Sequence, residues 1–197
     1  ILQNGIKITN EPPKGMKANL TRTFLDISEE DYGSSNKPEA FQQLLYTVAF
    51  FNALILERRK FGAVGWNIPY QWMTSDLVFA QQNLRLMINE QPTTPFEALN
   101  VIISDVVYGG RVTDKQDVRL TRAILGIYLN EFAVDDDAFS YCPQLDGRFH
   151  YGAPAEGPLD TYARYIGSFP LIDQPEIFGL HQNADISCQT KETGTML

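Results

Sequence analysis

The stretch 36–62 constrains the fold more than any other part of the chain. Asn36 is a candidate helix cap, Pro38 suits a first helical turn, and Glu39 stands three positions after the cap. Phe41, Leu44, Leu45, Val48, Phe51 and Ile55 then recur at helical spacing, while Phe50, Leu54 and Leu56 add a second apolar side. A helix apolar over most of its circumference must be covered by partners on two sides. Arg58-Arg59-Lys60 supplies cations for the negative end of the helix dipole, and Gly62 can terminate it. The fold therefore has to be built around this helix.

The partners are legible nearby. A helix is expected over 17–27, and 28–37, acidic and polar, reads as a loop. A further helix opens at Thr74 or Ser75, with Asp76 in its first turn and a stripe of Leu77, Ala80, Leu84, Met87 and Ile88. Thr94-Pro95-Phe96-Glu97 reads as a cap, a first-turn proline and a capping box, followed by Phe96, Leu99, Ile102, Ile103 and Val106. Gly109-Gly110 stops that helix, and Thr113 with Gln116 reads as another capping box before Val118, Thr121, Leu125, Tyr128 and Phe132. Between the central helix and the one opening at Thr74 or Ser75, 65–72 carries Trp66, Tyr70 and Trp72 with an interior Pro69. Such bulk predicts an ordered, aromatic-packed loop rather than helix.

The ends read differently. Ile6, Ile8 and Pro12-Pro13 suggest a strand running into a turn. Residues 133–157 hold Asp135-Asp136-Asp137, three glycines and two prolines without helical period, and read as a linker. A last helix is expected over 159–169, and 170–197 is loop-rich. The expected class is mainly α. It comprises a strand remnant over 1–16, a helical bundle over 17–132, a linker over 133–157, and a loop-rich C-terminal arm over 158–197 that begins a further domain. The start at Ile1, without Met, and the stop after Glu192-Thr193-Gly194 suggest a piece of a longer chain.

Composition narrows the function. At 197 residues, 44% apolar and 20% charged, the chain is globular, one domain or one domain with an arm. The net charge of −8 has the wrong sign for a protein reading phosphates across a broad face, so no nucleic-acid partner is expected. Residues 1–22 alone carry +3. No window reaches about 18 uninterrupted apolar residues, so no membrane span is expected. Cys142 and Cys188 have neither CxxC nor metal spacing and read as free thiols of a reducing compartment.

A search for chemistry returns little. There is no GxxxxGK[ST] loop, and the glycines at 62, 65, 109 and 110 follow helices, where the dipole repels phosphate. His150 and His181 belong to no HExxH. Counted from Asp135 as a calcium loop, position 5 is Phe139, position 6 is Ser140 and position 12 is Asp146, so the pattern fails. No GxSxG elbow appears, and a small acidic hydrolase has no nameable base and nucleophile. Arg111, between two helices after a glycine pair, could reach a neighbouring surface or pair internally with Asp114 or Asp117. A protein-binding adaptor using the 66–72 loop is the alternative to a purely structural role.

Longer motifs point to a family. Ile6-Lys7-Ile8-Thr9-Asn10-Glu11-Pro12-Pro13-Lys14-Gly15 with Ala18-Asn19-Leu20 resembles the end of the sixth AAA+ large subdomain of dynein heavy chains. Glu57-Arg58-Arg59-Lys60-Phe61-Gly62, Gly65-Trp66-Asn67-Ile68-Pro69-Tyr70, Ser75-Asp76-Leu77 and Tyr108-Gly109-Gly110-Arg111-Val112-Thr113-Asp114 resemble that family's sixth lid. Pro175-Glu176-Ile177-Phe178-Gly179-Leu180-His181 with Asn183-Ala184 resembles the approach to its C-terminal domain. The blocks occur in family order, and the Asn-Ile-Pro-Tyr and Pro-Glu-Ile-Phe-Gly versions look axonemal. Lys115-Gln116 and Trp72-Met73 depart from the family pattern.

The resemblance implies a non-catalytic mechanical lid within a minus-end-directed microtubule motor of cilia or flagella. It implies no cofactor in this segment and ATP with Mg in the parent motor. Its partners would be neighbouring AAA+ modules and the C-terminal domain of the same chain, with the microtubule and the light and intermediate chains reached only through the parent. Localisation to the cytoplasm, the cytoskeleton and the axoneme is implied too. Arg58, Arg59, Trp66, Tyr70, Tyr108, Arg111 and Asp114 are the candidate structural or inter-module contacts, and large exposed apolar patches are expected.

Overall fold

The structure, a computed structural model, describes residues 13–136, 138–186, 188 and 190; the expected N-terminal strand lies outside these residues. Eight α-helices lie wholly among the described residues: α1 (Met16–Asp26), α2 (Glu29–Tyr32), α3 (Pro38–Arg58), α4 (Thr74–Glu90), α5 (Phe96–Val101), α6 (Lys115–Tyr128), α7 (Phe132–Asp135) and α8 (Leu159–Gly167). Among the described residues there is no strand.

The doubly apolar helix is the axis of the fold. Of the 21 residues in α3, 17 are buried, and the helix touches α1, α4, α6, α7 and the 3₁₀ turn Pro175–Phe178. By length and hydropathy alone it could cross a membrane, but most of that apolar stretch is covered by the protein itself. Its N-terminus differs from the sequence expectation. Lys37, not Asn36, is the capping residue, and the Asn36 N–H donates to Asn89 Oδ1 at 2.9 Å. The Lys37 ammonium reaches across to the Gln91 and Pro92 carbonyls at 2.6 and 2.9 Å, just beyond the C-terminus of α4.

Burying α3 also buries polar side chains, and four of them, spaced along the helix, find different partners. Gln42 Oε1 accepts the Gly157 N–H (3.2 Å), and the Thr47 hydroxyl lies 2.7 Å from the Tyr141 hydroxyl. Asn52 Oδ1 accepts the Tyr108 hydroxyl (3.1 Å), and Glu57 Oε1 accepts the Asn19 amide (3.1 Å). The spacing is five residues, so successive positions are rotated by about 140° around the axis. One helix therefore docks segments on several of its sides through four hydrogen bonds, three of them buried.

The loop-rich stretch after α7 keeps the irregular backbone its composition implies, but it is laid against the bundle. Tyr141, Tyr151, Tyr162, Phe169, Ile177 and Phe178 are all buried. Tyr141 packs on Phe50 of α3 and Tyr128 of α6 at ring-centroid distances of 5.0 and 5.1 Å, and Phe24, Tyr32 and Tyr46 surround Tyr162. Side chains before and after residue 132 share these contacts, because aromatics without a helical period still bury large areas.

Helix starts differ in detail. Ser28 caps a short turn, α2, inside the segment expected to be loop, with the Asp31 N–H donating to its hydroxyl at 3.0 Å. Thr94 does not cap; α5 begins after Pro95 without a side-chain cap. Asp114 rather than Thr113 caps α6, accepting the Gln116 and Asp117 N–H groups at 2.9 and 3.0 Å. After Val101 the helix widens into a π-helix over Ile102–Tyr108, and Gly109 permits this: a Cβ there would sit 2.6 Å from the Ser104 carbonyl oxygen. Leu25, Leu171 and Ile172 remain 79%, 88% and 79% exposed; Leu25 and Leu171 line an open cleft of about 650 Å³.

Candidate functional site

The candidate residues meet where the 66–73 loop crosses the N-terminus of α6. The loop leaves α3 through a 3₁₀ turn, Arg59–Val64, and passes very close to the helix end, since a Cβ on Gly65 would lie 1.9 Å from the Arg58 carbonyl oxygen. Only glycine fits there. Trp66, Tyr70 and Trp72 then turn inward, being 3%, 5% and 5% exposed. Their rings contact one another at 5.1 to 6.2 Å, and the Trp66 indole N–H donates to the Ile55 carbonyl at 3.1 Å. The Trp72 indole donates to the Tyr108 carbonyl (3.3 Å) at the end of the π-helix.

Polar groups close the junction. Buried Asp117, in the first turn of α6, accepts the Asn67 N–H (3.0 Å), the Ile68 N–H (3.4 Å) and the Tyr70 hydroxyl (2.8 Å). Asp114 adds the Asn67 side-chain amide at 3.1 Å, and its own N–H donates to the Tyr70 oxygen at 3.2 Å. These donors hold the Asp114 carboxyl below the usual carboxylate range, the Asp117 N–H foremost. Arg111 pairs internally, but with Asp76 instead of Asp114 or Asp117. Its Nε and Nη2 donate to Asp76 Oδ2 and Oδ1 at 2.7 and 3.0 Å, a bidentate fork. The same Asp76 accepts the Met73 N–H at 2.8 Å and so also starts α4.

The arginines at the end of α3 diverge. Arg58 is buried, with its Nη1 donating to the Phe178 carbonyl, Nε and Nη2 to the Gly65 carbonyl (3.3 and 3.1 Å), and its plane 5.4 Å from the Trp66 ring centre. Burial lowers its pKa from the ordinary arginine value. Arg59 is exposed and lies outside the network. Thus every nominated residue except Arg59 joins one connected junction. Trp66, Tyr70 and Trp72 all turn into the junction, so of the large apolar side chains over 66–72 Ile68 is the one left exposed to a partner. The groups that sequence reasoning missed are Asp117 as the hub and Asp76 as the partner of Arg111. An acidic residue in a helix's first turn was the available signal for both.

A second polar cluster holds the start of α1. Asp173 Oδ2 accepts the Met16 N–H at 2.8 Å, beside Gly15, whose φ of 98° favours glycine. Burial raises the carboxyls of Asp173 and Glu57 above their ordinary values, against the pull of Met16 on Asp173 and of Lys60 on both. A carboxyl raised in the folded state binds protons more tightly folded than unfolded. Its stabilising contribution is therefore complete below the ordinary carboxylate range and is lost as pH rises through the raised value. Asp31 and Asp105, lowered chiefly by Ser28 and Arg122, act in the opposite sense and lose stability as pH falls. Asp173→Asn keeps an acceptor without the ionisation, so its stability relative to wild type improves between roughly pH 4 and pH 7. Urea unfolding at both pH values checks this; a variant whose stability relative to wild type stays constant or falls as pH rises contradicts it.

No group of three or more metal-ligating side chains occurs among the described residues. His181 Nδ1 accepts the Asn183 N–H at 3.2 Å, and His150 faces Asp146 at 3.4 Å. The class defined by these features is a helical domain whose most organised polar site serves its own packing. Residues 41–184 match the model of the dynein heavy chain AAA lid domain, and the chain belongs to that family. It is 43% identical over 197 residues to mouse (Mus musculus) dynein axonemal heavy chain 12, a match covering 98% of this chain and 6% of that protein. It is 39% identical over 206 residues to mouse dynein axonemal heavy chain 3 and 40% over 196 residues to human (Homo sapiens) dynein axonemal heavy chain 2, covering all of this chain and 5% and 4% of theirs. The chain thus spans about one twentieth of the length of these relatives.

Proposed function

We propose that this chain is the lid of the sixth AAA+ module of an axonemal dynein heavy chain, a mechanical segment of a minus-end-directed microtubule motor whose ATP and Mg are bound and hydrolysed elsewhere in the ring. The observation that carries this reading is the lid-family match, which runs from the central helix α3 into the tail. The family-ordered motifs at both ends support the position in the ring. We take the lid to run from Met16 through residue 184, because the aromatics of 139–169 belong to its core, with the C-terminal domain beginning beyond. Its partners are neighbouring modules and the C-terminal domain of the same heavy chain, and exposed Leu25, Leu171 and Ile172 offer apolar surface to them. Microtubule, light-chain and intermediate-chain contacts belong to the parent, which acts in the axoneme of a cilium or flagellum.

Calorimetric titration of the chain with ATP and Mg²⁺ at about millimolar concentration, near the upper end of ordinary enzyme affinities, is expected to give only heats of dilution. A stoichiometric, Mg²⁺-dependent binding isotherm overturns the non-catalytic reading.

A further inference from the structure

The incoming and outgoing parts of the chain meet at the C-terminal end of α3. On the incoming side, the Asn19 amide nitrogen donates to Glu57 Oε1 (3.1 Å) and to the Pro13 and Gly15 carbonyls (2.6 and 2.9 Å). On the outgoing side, Arg58 donates to the Phe178 carbonyl, and Phe61 packs on the Phe178 ring at 5.4 Å. Lys60 spans both sides. Its ammonium lies 4.0 Å from Glu57 and 4.8 Å from the Phe178 ring centre. Direct cross-ties complete the arrangement: Asp173 holds the Met16 N–H, and Lys17 donates to the Gly167 and Phe169 carbonyls at 2.6 and 3.4 Å.

Adjacent residues on a helix point about 100° apart, so Glu57 and Arg58 reach different flanks from one turn. Neither is the other's partner: the cation is satisfied by carbonyls and an indole face, the carboxylate by an amide and Lys60. Both are buried. Breaking either contact strands a buried polar group, which makes the tie stiff.

We propose that Glu57 and Arg58 form a clamp that joins residues 13–19 to residues 173–179 across the end of α3, so that the chain entering the domain and the chain leaving it move as one body. Displacement is then passed from one flank to the other over a single helical turn, and the rest of the bundle is bypassed. This mechanical role does not depend on the assignment to the sixth module.

The test is hydrogen exchange by mass spectrometry on the full chain. Arg58→Met keeps apolar bulk and removes the donors. It is expected to raise exchange about tenfold or more at Gly179, Leu180 and Ala184, in the first turn of α1 and, through the lost bonds to Gly65, in the 65–72 loop, with α4 beyond its first turn unchanged. Asn19→Ala, a milder change that leaves Arg58 intact, is expected to loosen residues 175–184 as well as the start of α1. Arg122→Met, at an exposed ion pair with Asp105, leaves both flanks unchanged. The clamp is overturned if Asn19→Ala loosens α1 alone, or if Arg58→Met raises exchange uniformly through the domain.

Discussion

Asp117→Ala lowers stability by about 3–5 kcal/mol, which for a domain of this size lowers the melting temperature by roughly 10 °C. One buried carboxylate accepts two backbone N–H groups of the 66–73 loop and the Tyr70 hydroxyl. A hydrogen bond to a charged acceptor contributes about 1.5–3 kcal/mol, and removing this acceptor strands several donors at once. The loop cannot simply move out to water, because Trp66, Tyr70 and Trp72 are buried beneath it. Asp117→Asn retains one acceptor oxygen and is expected to lose about half as much. Urea unfolding of the two variants measures this. An Asp117→Ala variant within about 1 kcal/mol of wild type would refute the role of this carboxylate as the hub.

Phe50→Ala costs about 3–5 kcal/mol and destabilises the aromatic segment 139–169 together with the bundle. Phe50 is fully buried and contacts Tyr46, Tyr128 and Tyr141, so its cavity opens between α3, α6 and the loop-rich stretch. Tryptophan fluorescence reports on Trp66 and Trp72 in the loop after α3, while hydrogen exchange reports on 139–169. Wild type and variant are both expected to unfold in one transition by both probes. Early melting of 139–169 with the tryptophan signal intact would mean that this stretch is an appendage and not part of the core.

What was legible in the sequence follows from the range of each interaction. The central helix was readable because Phe41 to Ile55 repeat every three or four positions and Phe50 and Leu54 fill the opposite side. The aromatic loop was readable because Trp66, Tyr70 and Trp72 have no place in solvent. Cap positions were less so: Thr113 and Asp114 are adjacent capping residues, and the choice of Asp114 depends on Asn67, 47 positions away, sharing its carboxylate. Arg111 read as able to reach a neighbouring surface or to pair internally with Asp114 or Asp117; Asp76 lies 35 positions back, and the nearer carboxylates competed for the assignment. Asp173 over the start of α1 is separated from Met16 by 157 positions, and no local pattern announces it. The aromatics after residue 138 carry no period because they sit on irregular backbone, so periodicity could not detect their burial.

The polar residues spaced every fifth position along α3 bear on how the domain can change shape. Closely packed helices often rearrange by shear, sliding past one another in small steps. A slide of α3 by one residue is only about 1.5 Å along its axis. That step would pull Gln42 from Gly157, Thr47 from Tyr141, Asn52 from Tyr108 and Glu57 from Asn19 together. The three buried pairs would then leave polar atoms stranded in the interior at about 1–3 kcal/mol apiece. Gliding of the central helix is thereby opposed by all four contacts at once.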